Sequence, residues 1–528
     1  MPRRSWLLCL ALIATLLPAS LPCQAEERAR DLEPRIISVV EESTPRTVCI
    51  RAHLVDRFAV LGSGSIISAD GYILTCAHVV EALPAIGGQR LNVMLTDGRS
   101  FDAELLGSHA KRDFAVLKIE AEDLPYYELG DSGALEKGTW VVALGHPMGI
   151  IGSEATGNDV PAVTAGVVTG IGRKMMANSG GFDFKLYPDA IETDLPLFFG
   201  NSGGPLVDME GKLVGVNAAI RMGGEPRSFS VPMATVKGFL AMLERGENAL
   251  DGDEPTGFLD RLTKFVEYAQ EVGEQAQELE VDPRLDRLKE EFVQAAETVS
   301  PSVVSVRLGG ERVAFGVVVD EDGVVAVPHH TLTRKGFGAF LVGKVRDGLP
   351  EDSGLRQLLD PLLPKQKRGK ITVETADGGV YTAKIRKSAE GIDVAFLDVH
   401  YGDDEVPPAI ELADEEAPVR GSWVISVTGE QAPAGVGILS TAGKRIDAVT
   451  PVPLTLNDLL DMAKQDMGLF DARNFPNVLF HDAFVSNKGV GGPLLDGQGH
   501  WLGLNLFTLS RGAGYAVPAA DVLKALRN

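Results

Sequence analysis

Short runs in which apolar and polar residues alternate recur along most of the chain and predict β-strands. Asp-Gly, Gly-Gly and proline-containing turns bound these runs, which favours antiparallel pairing. The pattern changes near the middle: residues 246–255 have the composition of a flexible acidic linker, and residues 258–279 and 285–297 have helical spacing that Asp282-Pro283 interrupts. We therefore expect a mainly β protein whose helical segments are simple connectors between two β-rich halves.

The two halves repeat each other in order. The hairpin sequence at 64–78 (GSIISADGYILTCAH) reappears at 316–330 (GVVVDEDGVVAVPHH), and Trp140 corresponds to Trp423. A Gly-Gly-Pro-Leu signature and a Val-Pro signature then close both halves in the same order. Ordered matches of this kind indicate two copies of one β domain, and 528 residues are enough for two separate cores.

The first residues have the pattern of a signal peptide, with Arg3 and Arg4 before an apolar core and a small-x-small site ending at Ala25. The apolar core is short for a bilayer span, so export to the periplasm or the extracellular space is favoured over a membrane anchor. No later segment is long enough to span a membrane. We expect a signal peptide at 1–25, a first domain at 26–247, an acidic helical linker at 248–283 and a second domain at 284–528.

The charge and the cysteines narrow the function classes. The formal net charge of −23 becomes −25 once Arg3 and Arg4 leave with the signal peptide, and this acidity argues against a nucleic-acid partner. Cys49 and Cys76 remain in the mature chain. An oxidising compartment permits a disulfide between them, although their apolar surroundings are more typical of buried thiols.

A candidate nucleophile, Ser202, lies in the glycine-rich segment 200–206 (GNSGGPL). A hydroxyl attacks well only when a base removes its proton and a third group orients that base, and His78 and Asp113 could fill these roles. The glycines would let the backbone N–H groups of Gly200 and Ser202 form an oxyanion hole. Taken singly, these residues could equally be a core histidine, a turn carboxylate and a surface turn. Their order along the chain favours catalysis.

Three motifs resemble those of trypsin-like serine proteases, most closely the HtrA/Deg branch: TCAH at 75–78, DFAVL at 113–117 and GNSGGPL at 200–206. The resemblance covers about residues 33–244. It implies a mainly β fold of two tandem trypsin-like double β-barrel domains joined by a short helical linker. It also implies an acyl-enzyme mechanism in which His78 is general base and then acid, Asp113 orients it and Ser202 attacks. HtrA proteases usually carry a PDZ module, whereas this chain continues into a second protease-like copy.

The resemblance also bears on specificity and on oligomeric state. In the family, the residue six positions before the serine lies at the base of the specificity pocket, and here it is Pro196 rather than an acidic residue. Cleavage after Lys or Arg is therefore not expected, and Leu197, Phe198 and Ala218 favour an apolar pocket. A homo-oligomer is compatible with the resemblance, but residues 26–42 show no recognisable trimerisation feature.

The second copy lacks the nucleophile. His330 and Asp393 correspond to His78 and Asp113, but Val490 replaces Ser202, and the nearby Ser486 would need a loop shift to substitute for it. We expect a degenerate site in a pseudoprotease domain that binds, buttresses or regulates, or in a packing partner without a ligand. His329 precedes His330 on a predicted strand, so the two would point to opposite faces and form no metal site. The charged insertion at about 333–370 is expected to be a surface excursion.

The sequence thus predicts an exported serine endopeptidase that acts on polypeptides, unfolded ones by resemblance, without a metal or other cofactor. The alternative is a protein-binding or chaperone-like scaffold in which the first site is latent and the paired domains hold partners.

Overall fold

The computed structural model describes residues 32–53, 58–85, 90–109, 112–146, 160–180, 183–197, 200–221, 227–244, 283–333, 369–413, 419–428, 433–446, 475–483, 489–508 and 514–528. The expected signal peptide, the helical pattern at 258–279 and nearly all of the charged insertion lie outside these residues. No helix in the described part of the chain is long and apolar enough to cross a membrane.

The first half contains two closed six-stranded barrels. Its strands are β1 (Thr47–His53), β2 (Phe58–Ile66), β3 (Tyr72–Thr75), β4 (Arg90–Met94), β5 (Ser100–His109), β6 (Phe114–Ile119), β7 (Trp140–Gly145), β8 (Ala162–Gly180), β9 (Asp183–Thr193), β10 (Pro205–Asp208), β11 (Leu213–Arg221) and β12 (Arg227–Pro232). Its helices are α1 (Leu32–Ser43), α2 (Ala77–Ala85) and α3 (Met233–Glu244).

The second half has the same plan. It begins with helix α4 (Pro283–Val299), and its strands are β13 (Val303–Leu308), β14 (Glu311–Val318), β15 (Val325–Pro328), β16 (Ile371–Glu374), β17 (Val380–Ala389), β18 (Val394–His400), β19 (Trp423–Val427), β20 (Pro433–Ile446), β21 (Phe475–His481), β22 (Pro493–Asp496), β23 (Trp501–Thr508) and β24 (Gly514–Pro518). Helix α5 (His329–Thr333) follows β15, and helix α6 (Ala519–Arg527) closes the chain.

All four barrels share one strand order, in which the first, second and third strands are followed around the barrel by the sixth, fifth and fourth. Every pair of neighbouring strands is antiparallel; in the first barrel, for example, Cys49 pairs with Ser63 on one side and with Met94 on the other. Closure leaves no exposed sheet edge and encloses the apolar side chains that alternate along each strand. The expected fold class, mainly β with two tandem double-barrel domains, is confirmed.

Helix α4 is more than the connector that the sequence suggested. Its buried face includes Phe292 and Ala296, and the ring of Phe292 lies 5.6 Å from that of Trp423. Trp423 also makes an edge-to-face contact with Trp140, its counterpart in the first half, with ring centroids 5.8 Å apart. Helical spacing alone could not show this packing, because the partner residues are more than a hundred positions away.

The two halves are joined by hydrogen bonds between β8 and the second half. The hydroxyl of Ser440 donates to the carbonyl of Val163 and accepts from its N–H, and the carboxylate of Asp482 accepts the N–H of Ala165 at 3.2 Å. The partly buried guanidinium of Arg420 donates to the carbonyl of Pro161, just before β8. These contacts hold the beginning of β8 against the second half.

Candidate active site

His78 and Asp113 form a doubly hydrogen-bonded pair. Oδ1 of Asp113 accepts the backbone N–H of His78 at 2.9 Å, and Oδ2 lies 2.7 Å from Nδ1 of the imidazole. Asp113 is completely buried, whereas 27% of the His78 side chain is exposed. The carboxylate therefore fixes the orientation of the ring and leaves the other ring nitrogen, Nε2, available for proton transfer.

The hairpin sequence at 64–78 extends to His78, but His78 does not belong to the strand. The strand ends at Thr75, and His78 lies in the first turn of α2. Asp113 accepts the N–H of His78, one of the amide groups that the first turn of a helix leaves without an intrahelical acceptor. The same carboxylate thus supports the helix start and orients the imidazole.

The backbone of Asp113 is strained. Its φ of 58° lies in the left-handed region, where residues other than glycine are uncommon. Among the described non-glycine residues, only Asp113, Asp123 and Asp393 have a positive φ. Such strain persists where the surrounding structure fixes it and is often found at functional sites.

Tyr187 on β9 completes the surroundings of the carboxylate. Its hydroxyl donates a hydrogen bond of 2.6 Å to Oδ2 of Asp113, the oxygen that also faces the imidazole. Burial, and then the charge of Asp113, raise the pKa of Tyr187, so the phenol stays protonated and remains a donor. The Asp113 carboxylate therefore accepts hydrogen bonds from both sides.

The turn that carries Ser202 needs its glycines. Gly200 and Gly203 have φ values of 100° and 85°, and a Cβ on Gly203 would overlap the carbonyl oxygen of Ser63 and the hydroxyl of Thr75. The N–H of Gly203 donates to the carbonyl of Asn217 at 2.7 Å, and that of Gly204 donates to the carbonyl of Asn201 at 3.0 Å. The turn therefore has one defined backbone conformation.

Ser63 on β2 ties this turn to the first barrel. Its N–H donates to the carbonyl of Ser202 at 2.8 Å, and its hydroxyl donates to the carbonyl of Gly200 at 2.6 Å. The same hydroxyl accepts the N–H of His146 at 2.7 Å. The serine turn is thus docked against the barrel that holds His78 and Asp113, with the Cβ position of Gly203 only 3.0 Å from the backbone nitrogen of Cys76.

The structure brings the three predicted residues into one neighbourhood but joins only two of them directly. In the described part of the chain, no hydrogen bond connects Oγ of Ser202 with His78. The N–H groups of Gly200 and Ser202 likewise have no intramolecular acceptor among the described residues. The triad and the oxyanion hole therefore stay predictions.

The same site holds three atoms with metal-ligand chemistry. The sulfur of Cys76 and one ligand atom each of His78 and Asp113 lie within 4.8 Å of one another. Oxygens of Asp113 already accept hydrogen bonds from His78 and from Tyr187, so an ion bound by all three residues would have to displace these bonds. The arrangement fits proton transfer better than metal binding. Cys49 and Cys76 are both buried and do not form a disulfide.

Three of the four predicted specificity residues lie in the described part of the chain. Leu197 is buried in a cluster with Leu195 and Ile191 inside the second barrel, and Ala218 is buried as well. Pro196 is partly exposed, and Phe198 lies outside the described residues. The apolar specificity pocket therefore stays a prediction.

The second half repeats the site without its serine. Asp393, with a φ of 54°, accepts the N–H of His330 at 2.9 Å, and its Oδ2 lies 2.5 Å from Nδ1 of that histidine. The N–H of Phe315 donates to the carbonyl of Val490 at 2.8 Å, as Ser63 does to Ser202. His329 and His330 both lie in helix α5, so the expectation that they sit on opposite faces of a strand was wrong.

Sequence reasoning missed Ser63 and Tyr187. Strand register shows which residues replace them in the second half. Phe315 corresponds to Ser63. Phe475 corresponds to Tyr187, because each lies four residues before a residue, Leu479 or Ile191, that pairs with the equivalent place on the next strand. Each hydroxyl occurs only in the half that has the serine. That difference between the repeats was the one signal in the sequence that could have identified them.

A family model described as a trypsin-like peptidase domain matches residues 62–216 and 314–504. The chain is 43% identical over 176 residues to a probable periplasmic serine endoprotease DegP-like of Halomonas elongata, covering 33% of each protein. It is 38% identical over 176 residues to a putative serine protease HhoB of Synechocystis, covering 33% of this chain and 38% of that protein. A crystal structure of the serine endoprotease from Yersinia pestis matches at 29% identity and a TM-score of 0.32, over 40% of this chain and 66% of that one.

The matched segments span more than half of the chain, which therefore belongs to the trypsin-like peptidase family. The resemblance to HtrA-type proteases is confirmed by these relatives. The chain spans about a third of the length of the curated relatives it matches.

Proposed function

We propose that the protein is a periplasmic serine endopeptidase that cleaves polypeptides with a catalytic triad of His78, Asp113 and Ser202. The observation that carries the proposal is the buried, doubly bonded Asp113–His78 pair beside a serine turn of fixed conformation. The names of the relatives, periplasmic serine endoprotease and serine protease, support the activity and the compartment. The signal peptide at 1–25 would direct export and then be removed.

The mechanism follows from the positions of these groups. As Oγ of Ser202 bonds to the carbonyl carbon of the substrate, its proton passes to Nε2 of His78, and the buried Asp113 carboxylate stabilises the resulting imidazolium. The imidazolium then protonates the leaving amine as the C–N bond breaks, which leaves an acyl-enzyme. Water attacks the acyl group with His78 as base again and releases the acid. The N–H groups of Gly200 and Ser202 bind the oxyanion at both stages.

The division of labour between the halves is part of the proposal. The first domain, residues 26–247, would cleave, and the second, residues 284–528 after the linker at 248–283, would be a pseudoprotease. Val490 has no hydroxyl to act as a nucleophile at the position that corresponds to Ser202. Substrates would be unfolded polypeptides, as the resemblance to HtrA-type proteases implies.

A fluorophosphonate probe and an unfolded substrate test this function. We expect the probe to label the purified mature protein and the protein to degrade unfolded casein, whereas Ser202→Ala should abolish labelling and lower casein hydrolysis by roughly 10⁴-fold or more. Val490→Ala is the matched control and should leave labelling unchanged.

The competing hypothesis is a protein-binding or chaperone-like scaffold with a latent first site. It predicts that the wild-type protein resists the probe and leaves casein intact while it still prevents aggregation of unfolded casein. That combination of results would reject the protease proposal.

A further inference from the structure

The second half keeps the backbone of a serine turn although it has lost the serine. The carbonyl of Val490 accepts the N–H of Phe315 at 2.8 Å, the same distance as between Ser202 and Ser63. Gly491 donates to Asn505 at 2.8 Å and Gly492 donates to Gly489 at 3.2 Å, which reproduces the bonds of Gly203 and Gly204. Gly491 has a φ of 89°, close to the 85° of Gly203.

The acid–base pair is preserved just as closely. His330 and Asp393 make both hydrogen bonds that His78 and Asp113 make. Asp393 also keeps the strained left-handed backbone, which a residue without a geometric task would be expected to lose. The His330 side chain is 26% exposed, against 27% for His78, so the second imidazole is as open to the surroundings as the first.

These features define what the second site can bind. The N–H of Val490 has no intramolecular acceptor within the described ranges, and a peptide carbonyl oxygen is the group that an N–H in this turn holds in a serine protease. Val490 itself is 9% exposed and presents methyl groups where a protease presents its hydroxyl. A carbonyl could therefore be held beside His330, but the Val490 side chain has no atom that could attack it.

We propose that the cleft at His330, Asp393 and Val490 is a binding site for extended polypeptide segments, which it holds without cleaving. This inference rests on the proposed function of the first domain, because it assigns the same ligand class to the second. Without the nucleophilic hydroxyl the site could hold a substrate but not cleave it, and a substrate bound there would be retained close to the domain that cuts.

The decisive experiment restores the hydroxyl while the first site is silent. In the double variant Ser202→Ala/Val490→Ser, we expect a fluorophosphonate to label the chain at the introduced serine. Its Oγ–P bond forms as the P–F bond breaks, His330 takes the hydroxyl proton, and fluoride leaves. Ser202→Ala alone should remain unlabelled. Adding His330→Ala to the double variant should slow labelling by at least 100-fold.

The native site is tested by binding. Carboxymethylated, fluorescently labelled casein should bind Ser202→Ala, and His330→Gln in that background should weaken its Kd about five- to tenfold. Asp403→Asn, on an exposed turn of the same domain, should leave the Kd unchanged. Thermal unfolding of each variant shows whether the fold is intact.

Two results would overturn the inference: a folded Ser202→Ala/Val490→Ser protein that the probe does not label, or a Kd that does not respond to His330→Gln. Labelling of wild type separates this failure from a failure of the proposed function. If wild type is labelled and the double variant is not, only the second site is rejected. If wild type is not labelled, the protease proposal itself is rejected.

Discussion

Tyr187 is the residue that distinguishes the two acid–base pairs most clearly. Its hydroxyl donates to Asp113 in the first domain, and the equivalent position in the second domain is Phe475, which has no hydroxyl. The domain with the nucleophile therefore has an additional donor to its carboxylate. We interpret Tyr187 as a positioning residue, because it acts on the imidazole only through Asp113.

Tyr187→Phe should lower kcat/KM about tenfold, the equivalent of about 1.4 kcal/mol, which lies within the net contribution of one hydrogen bond. Because the phenol holds one oxygen of the carboxylate that orients the imidazole, its loss should act mainly on kcat and leave KM nearly unchanged. Steady-state hydrolysis of a peptide substrate measures both constants. A purely structural role would lower Tm and leave kcat unchanged.

At the scale of the elements, helix α4 shows how tertiary packing adds to what periodicity predicts. Phe292 on its buried face is 6% exposed and contacts Trp423, whereas Glu291 beside it faces solvent. Phe292→Ala should destabilise the protein by about 3–4 kcal/mol, the usual cost of removing a buried ring. Urea unfolding followed by tryptophan fluorescence measures the loss. Glu291→Ala should change stability by less than about 0.5 kcal/mol, and equal effects of the two variants would disprove the packing role.

The elements also show which parts of the structure can be predicted from the sequence. Alternation and turn residues predicted the strands, and the repeat predicted that Trp140 and Trp423 are equivalent, because both signals are local and periodic. The helical conformation at His78 was not predictable, since the first turn of α2 depends on a hydrogen bond from the His78 N–H to Asp113, 35 residues away. The role of Ser63 is hidden for the same reason: its partners Gly200 and His146 are distant along the chain.

At the scale of the whole molecule, the interface between the halves contains a carboxyl group with altered acidity. Asp482 accepts the N–H of Ile438 within its own half and the N–H of Ala165 in the other. Burial, with a smaller contribution from the charge of Asp194, raises the pKa of Asp482 to about 7. The neighbouring His481 is shifted in the opposite direction, because burial lowers its pKa to about 4.

The two shifts have opposite consequences for stability. Between about pH 4 and 7 the folded state holds a proton on Asp482 that the unfolded state has lost, so this group's contribution to stability falls as pH rises through that window. His481 binds its proton more weakly in the folded state, so its contribution rises with pH between about 4 and 6.5. A variant that changes only Asp482 isolates the effect of this carboxyl on stability, because His481 is present in both the variant and the wild type.

Asp482→Asn should therefore change the pH dependence of stability in a defined direction. The amide oxygen can accept one of the two backbone N–H groups well, so the variant should be less stable than wild type at pH 5, where the native carboxyl is largely neutral. From pH 5 to pH 8 the free energy of unfolding of the wild type should fall by about 2 kcal/mol more than that of the variant. The difference in Tm between the two proteins should therefore narrow or reverse. For Asp403→Asn, on an exposed turn, stability should change with pH as it does in the wild type. If the stability of Asp482→Asn also changes with pH as that of the wild type does, the interface carboxyl does not ionise between pH 5 and pH 8. Contact between the domains is then independent of pH.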